Sequence, residues 1–531
     1  MKKLKTLILS ATVLGLPFIG GAQHQHTNQC GTTMADQAII VDNLLRNRKN
    51  IKQADIDAMK NNRAVTYVPI TPQNVGYQGA DYAPVEDIYD MICDLNNNYA
   101  DHDIQFFITD SIRFRSDYHL WDNPGSLSAR IKMSGTYKIY NTINMYITKS
   151  VNGASSSWYD GGGDYLVIRQ NMMAPGKSST ETHEVGHFFT LPHTFYGWEG
   201  NNPVSGNVPA SINGWPVEKV TRGAGSNCNN SADYFCDTPA DYESDRNNSC
   251  NYIPAYKDPT GATLDPDEKN IMSYFGDHCV DSFSNQQGTA IQADVVARSN
   301  QFSNNYSNWT QWLTNTPTST TKVSETSVTS MIPANGSIFQ LSGNTTKLDW
   351  NAVPGATMYI VELYPATGNG VFTFAGPIWS KVMRNVDEVN LANTYFTDLF
   401  YNYQWTRFAW RVRPMNDYWT CAGYTPYSYF ELGTPTGTQD LEARRIMSVD
   451  VNPNPVVGNS TTVVVQSTEE LEGSIQLYSI QGQLLAEQPS QLLTAGENRV
   501  EINLTNVSAG AYMVVVQTAR GALHKKLIVQ R

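Results

Sequence analysis

A chain of 531 residues is longer than one compact domain holds, and three or four domains are expected of it. Hydrophobic residues make up 40% and charged residues 16%, a globular balance with apolar material for several cores. The formal net charge of −12 excludes the basic footprint of a nucleic-acid-binding protein, so no nucleic-acid partner is expected.

Residues 1–22 begin with Lys2, Lys3 and Lys5, continue through an apolar run from Leu7 to Ile19 and close on Gly20-Gly21-Ala22. This is the order of a secretory signal peptide, and its apolar run is short for a membrane span. With no other transmembrane candidate, the chain is expected to be exported, into surroundings where disulfides form. Seven cysteines (Cys30, Cys93, Cys228, Cys236, Cys250, Cys279 and Cys421) leave at least one over. Residues 23–63 are polar and partly helical, with Ile39, Ile40, Leu44 and Leu45 in one segment and Cys30-Gly31-Thr32 near its start.

Residues 64–313 read as one mixed region. The alternating, β-branched stretch 64–71 predicts a strand. Val85, Ile88, Ile92 and Leu95 stand at helical spacing after Pro84, which suits a first helical position. Further strands are predicted over 103–109, 137–148 and 164–168, and an amphipathic helix from Ser284, with Ile291 and Val295, closes the region. Strand, helix and then several strands form an α/β (α+β) arrangement.

Within that region, residues 182–195 read T-H-E-V-G-H-F-F-T-L-P-H-T-F. His183 and His187 stand four apart, on one face of a helix turn, where neutral imidazoles converge on a zinc ion. Glu184 is displaced about 100° from His183 on a 3.6-residue helix, so it reaches a water at the metal without binding the metal. That makes it the candidate general base. A continued helix would carry His193 roughly 9 Å further along the axis, so the chain must turn before it. Pro192 stops the helix, since it lacks an amide hydrogen and disfavours the α conformation at Leu191. Upstream, Ser178 to Glu181 carries an S-x-x-E capping signature. Three histidine ligands leave a fourth position for water, as catalytic rather than structural zinc requires. Three of nine histidines fall within eleven residues, which separates this pattern from ordinary core histidines on an apolar helix.

These residues resemble the metzincin metallopeptidases, whose motif is H-E-x-x-H-x-x-G-x-x-H, and the continuation His193-Thr194-Phe195 resembles the pappalysin family within them. The resemblance covers about residues 30–300. It implies one catalytic zinc, a twisted sheet backed by a long helix above the metal, and an irregular lower half rich in Gly, Asn and Pro. The family glycine falls at Thr190. Either the turn is made differently there, with the help of Pro192, or the loop carries about 1–2 kcal/mol of left-handed strain.

The same resemblance assigns further residues. Pappalysin-like precursors carry a C-G-T motif, which implies Cys30 as a thiolate switch on the zinc and a latent zymogen. A disulfide of Cys30 with Cys93 or Cys421 is the alternative. Residues 270–274, N-I-M-S-Y, resemble the Met-turn, with Met272 as the apolar floor under the histidines and Tyr274 as a phenol donating to the developing oxyanion. A disulfide between Cys250 and Cys279 is implied beside that turn, and Cys228 with Cys236 form a second candidate pair. Residues 231–239 resemble the family's D-T-P loop, where Asp233, Asp237 and Thr238 offer oxygen ligands for a structural calcium. A solvated turn explains the same residues. Asp277 stands where the floor of the pocket for the residue after the scissile bond would fall, favouring Arg or Lys, with a surface aspartate as the alternative.

Residues 314–330 form a linker dense in Ser, Thr and Pro. Residues 331–432 hold short alternating strands such as 347–350, 356–363 and 408–413, whose L-x-W, G-A-x-x-Y and W-x-V elements resemble a fibronectin type III β-sandwich. After a second linker, 433–448, residues 449–531 are all-β. Asn452-Pro453-Asn454-Pro455, Gly510-Ala511-Tyr512 and residues 525–529 resemble the C-terminal sorting domain of the type IX secretion system. That implies handling by the secretion machinery and a sortase. The expectation is a metzincin-like α/β catalytic domain followed by two all-β sandwiches, acting as a secreted zinc endopeptidase on protein or peptide substrates. The rival is a surface adhesin with a disabled peptidase-like domain, binding through the fibronectin-like one. Intact Glu184 and Tyr274 argue against the rival.

Overall fold

The computed structural model describes residues 30–530 apart from internal stretches, the longest being 302–311 and 433–445. The expected signal peptide, Ser178 and most of the linker 433–448 lie outside the described residues. The chain divides into two compact units: one runs to Ser327 and takes in 353–360 and 413–423, and the other holds 328–352, 361–412 and 424–531.

The first unit is built on a six-stranded sheet. Its strands are β1 (Thr66–Gly76), β2 (Ile104–Ile108), β3 (Arg113–Ser116), β4 (Ile143–Thr148), β5 (Trp158–Asp160) and β6 (Tyr165–Arg169). The order is β2-β1-β4-β6-β5, with β3 on the far half of β1, and β5 is the sole antiparallel member. β1, β2, β4 and β6 are buried almost throughout, as strands of a parallel sheet covered on both faces are.

β1 runs five residues beyond the predicted end. Pro72-Gln73-Asn74 reads as a break, yet the buried amides are satisfied inside the sheet: Gln73 donates to Tyr137 O and Asn144 Oδ1, and Asn74 pairs with the Ala83 backbone. The strand predicted over 137–148 begins only at Ile143. Before it the Asn144 side chain accepts from Ile139 N–H and donates to Ile139 O, and Asn141 sits at φ +63°, which closes a loop.

Seven α-helices complete the described part of this unit: α1 (Met34–Asn50), α2 (Gln53–Asn61), α3 (Val85–Asn98), α4 (Tyr118–Asp122), α5 (Leu127–Ile131), α6 (Ser179–Phe188) and α7 (Asn285–Val296). α3 buries Ile88, Met91, Ile92 and Leu95 and packs on β2 and α6, with Pro84 at its N-cap rather than inside its first turn. α7 opens on a capping box of Ser284 and Gln287. α1 opens on another, Thr33 with Asp36, and packs against α6 and α7. Ile40 and Leu44 of α1 are buried, whereas Ile39 and Leu45 face out.

In the second unit a three-stranded sheet (Met331–Ile332, Thr345–Trp350, Glu388–Ala392) and a six-stranded sheet share a core in which the buried Trp350 and Trp410 rings lie 6.3 Å apart. This is a β-sandwich. A second sandwich pairs the sheet of Met447–Asn452, Ser460–Ser467 and Gly496–Asn503 with the sheet of Leu471–Ser479, Leu484–Leu493, Gly510–Thr518 and Gly521–Val529. Val451, Val463, Val465, Ile475, Leu477, Val514, Val516 and Leu527 fill the space between them.

Candidate metal centre

Every residue of α6 from Ser179 to Phe188 is buried. The helix ends in a Schellman motif: Leu191 N–H donates to Gly186 O and Thr190 N–H to His187 O, both at 3.0 Å. The motif needs a left-handed residue at its pivot, and Thr190 occupies it at φ +67°. Of the two turns open to the sequence, the chain makes the strained one, at a cost of about 1–2 kcal/mol for a β-branched residue. The Thr190 hydroxyl is also buried without a hydrogen-bond partner. The reversal at Thr190-Leu191-Pro192 swings His193 back towards the helix.

His183, His187 and His193 converge. The Nδ1 atoms of His183 and His187 each lie 2.7 Å from a carbonyl, Ile271 O and Leu191 O respectively. A ring nitrogen facing a carbonyl must carry the proton, so the Nε2 atoms keep their lone pairs. His193 Nδ1 faces Glu199 Oε1 at 3.2 Å, and its Nε2 stands 3.2 Å from His187 Nε2. One ligand atom from each histidine, together with Cys30 Sγ, falls in a group whose members all lie within 4.8 Å of one another. Burial holds His187 well below the usual imidazole range, neutral and able to ligate. Three imidazole nitrogens and a thiol sulfur facing one point form the donor set that zinc takes.

Met272 lies directly beneath. A side chain at Gly186 would run into its sulfur, so the Met272 thioether packs on α6 in the space that glycine leaves open. Thr194 N–H donates to Met272 O at 3.2 Å, and the buried Asp241 carboxylate accepts from both Thr194 Oγ1 (2.6 Å) and Ser273 Oγ (2.7 Å). Asp241 thus ties the residue after His193 to the residue after Met272. The Cys250–Cys279 disulfide closes the loop around this turn, and Cys228–Cys236 and Cys93–Cys421 also form.

Cys30 is the free cysteine, 3.6 Å from His187 Nε2. Its segment runs along β5, the edge strand: Gly31 N–H donates to Ser157 O, Tyr159 N–H to Thr32 Oγ1, and Gly161 N–H to Asp36 Oδ1. Thr32 Oγ1 lies 3.3 Å from Glu184 Oε2. Glu184 is fully buried, and burial pushes its carboxyl up to about 8. The Gln37 amide nitrogen stands 3.4 Å from His187 Nε2 and 3.2 Å from His193 Nδ1, and its Oε1 accepts from His193 N–H. The Tyr274 hydroxyl donates to Cys30 O at 3.3 Å, its ring 4.9 Å from that of His193.

The other residues singled out by the sequence lie further off. Asp237 is exposed and caps α7, accepting from Ser284 Oγ and Gln286 N–H, both at 2.8 Å, and its charge also acts on Asp233. Asp233 is buried, and burial pushes its carboxyl up to about 7; its Oδ2 has no hydrogen-bond partner. The buried Glu218 carboxyl is raised by burial and then by Asp233, and its Oε2 is likewise unpartnered. Thr238 Oγ1 donates to Phe235 O. Asp277 is half-buried and accepts from Ser179 Oγ in the first turn of α6. Nothing in the sequence singles out Gln37, Glu199, Glu218 or Asp241 as functional, since isolated polar residues in unremarkable stretches carry no spacing signal, and Thr32 enters only as the last residue of the C-G-T motif.

Residues 450–530 match the family model of the secretion system C-terminal sorting domain. The protein is secreted or carried to the cell surface, and among the described residues no helix is long and apolar enough to cross a membrane. The chain is 30% identical over 231 residues to an extracellular metalloprotease of Neurospora crassa, and 30% identical over 230 residues to one of Sordaria macrospora. Each match covers 38% of this chain and spans 65% of the relative's length. Among solved structures, the chicken CNTN1 FN1–FN3 domains share 10% identity over 40% of this chain and 67% of that one, with a TM-score of 0.15, too low to assign a fold.

Proposed function

We propose that the protein is a zinc-dependent endopeptidase of the pappalysin-like metzincin type, exported as a latent precursor and acting on protein or peptide substrates. The observation that carries this reading is the convergence of His183, His187 and His193 beside the buried Glu184, with Cys30 at the same point. The relatives named extracellular metalloproteases support it. His183, His187 and His193 would hold the zinc ion, which would supply Lewis acidity to the scissile carbonyl and to a water whose pKa it would bring to about 7.

The remaining work falls to side chains. Glu184 takes the proton of the attacking water and delivers it to the leaving amine. The Tyr274 phenol, released from Cys30 O, donates to the developing oxyanion. Met272 gives the three histidines a rigid apolar floor, and Asp277 supplies an anionic wall for a cationic substrate side chain. Residues 23–63 form the prosegment, cut near Arg63. In the precursor Cys30, beside His187, would supply a fourth ligand to the zinc, while Thr32 Oγ1 donates to the Glu184 carboxylate and occupies the base. Asp233, Asp237 and Thr238 supply oxygen ligands for a structural calcium, with Asp233 Oδ2 buried and without a hydrogen-bond partner. Residues 331–432 form a fibronectin type III-like spacer, and residues 449–531 are the address read by the type IX machinery and a sortase.

The test is cleavage of a denatured protein by the processed chain, with bound zinc measured alongside. Chelator-sensitive cleavage that falls by about 10²–10⁴-fold in Glu184→Gln, with zinc retained, is expected. Full zinc occupancy without cleavage by the processed wild type would reject the peptidase reading and return the adhesin to favour.

A further inference from the structure

The three histidines are not held alike. His183 and His187 each point Nδ1 at a backbone carbonyl, which cannot move without unfolding the turn that bears it. His193 points Nδ1 at a side chain, Glu199, which lies 3.2 Å away and is 15% exposed. Two consecutive turns bring Glu199 back beneath the ring: Tyr196 N–H donates to His193 O and Trp198 N–H to Phe195 O. Gly197, at φ +98°, makes the second bend, and its N–H holds the other carboxylate oxygen, Glu199 Oε2, at 2.8 Å. The buried Trp198 stacks on Tyr242 at 4.9 Å and fixes the loop, while Phe195 stacks on His193 at 4.6 Å and leaves the imidazole free only to turn in its plane.

A second group competes at the same atom. The Gln37 amide nitrogen of α1 is 3.2 Å from His193 Nδ1. An amide N–H is a donor and asks for a bare Nδ1, which would put the ring proton on Nε2 and spoil the ligand. A carboxylate asks for the opposite, a protonated Nδ1 and a bare Nε2. From this opposition we infer that Glu199 is a positioning residue: it fixes the tautomer and in-plane orientation of His193 against Gln37, and so sets how tightly the third ligand holds zinc. The inference rests on the zinc reading above and adds a residue that the histidine motif does not contain.

Zinc affinity of the full chain, measured by competition with a chromogenic chelator, tests this in Glu199→Gln and Glu199→Asp beside wild type. Glu199→Gln keeps the size and an acceptor but loses the charge; it should bind zinc about 10–100-fold more weakly, the usual cost of an outer carboxylate on a ligating histidine, with Glu199→Asp in between. The cobalt-loaded variant should show a shifted visible absorption band, while the metal-free proteins melt together. Zinc affinity in Glu199→Gln within twofold of wild type would overturn the assignment, as would a loss accompanied by an equal loss of metal-free stability, which marks a merely structural loop. A wild-type chain that binds no zinc would overturn both this inference and the function it rests on.

Discussion

The floor and the cover of the histidine cluster are made in different ways. The floor is α6, the Schellman turn and the 270–274 turn, joined by backbone hydrogen bonds, by Asp241 and by the close approach at Gly186. The cover is residues 30–50, which touches the centre through three side chains, Cys30, Thr32 and Gln37, and is otherwise held along β5 and against α6 and α7. One such hold is the buried hydrogen bond from Asn47 to Asp294 at 2.8 Å. A wall built from backbone and core persists as long as the fold does. A wall carried on a separate segment can be removed by one cut in the chain while the backbone bonds of the floor stay in place, which is the property a latency device needs.

The contrast fails most visibly if the floor is loosened. Cys250→Ser opens a loop of 29 residues, worth about 3–4 kcal/mol on the chain-entropy model, and removes the clamp beside the Met272 turn. Denaturant unfolding of the first unit should lose about that much, and cleavage by the processed enzyme should fall with it. An unchanged midpoint would mean that the floor does not depend on this clamp.

Loosening the cover should do the reverse. In the uncut precursor, Cys30→Ala should raise cleavage of a peptide substrate about tenfold or more without loss of bound zinc, and Gln37→Ala should raise it several-fold. If either variant instead lost its zinc, the cover would be part of the floor.

The smallest effect concerns the floor alone. Thr190→Gly removes left-handed strain and a buried, unpartnered hydroxyl, against the greater freedom that glycine gives the unfolded chain, for a net gain of about 1 kcal/mol. A thermal shift of a few degrees upward is the expected readout, with activity unchanged.

What can be read from sequence follows the same division. Ligand spacing on one helix is a local pattern, so His183, Glu184 and His187 are legible, and Pro192 shows that the chain has to turn before His193. Whether Thr190 bends left-handed or avoids it is not legible, because that depends on the carbonyls waiting at Gly186 and His187. Glu199 reaches His193 through two turns whose geometry only the folded loop reveals. Gln37 and Asp241 act across 156 and 47 positions of sequence, where spacing carries no information. Among the strands, β-branched alternation locates β1 but not its end, since Gln73 and Asn74 find their partners in distant chain.

Asp237 shows the limit of reading a loop by composition. Its carboxylate suits calcium chemically, and in the fold it also caps the start of α7, a role that composition does not show. Glu218 stands outside the acidic loop in the sequence, yet in the fold burial and then the charge of Asp233 raise its carboxyl.

The most direct measurement is zinc K-edge absorption on the full-length precursor and on the processed enzyme. Latency through Cys30 predicts three nitrogen ligands at about 2.0–2.1 Å and one sulfur at about 2.3 Å in the precursor, with the sulfur replaced by oxygen after processing. A precursor whose zinc shows no sulfur ligand would contradict it.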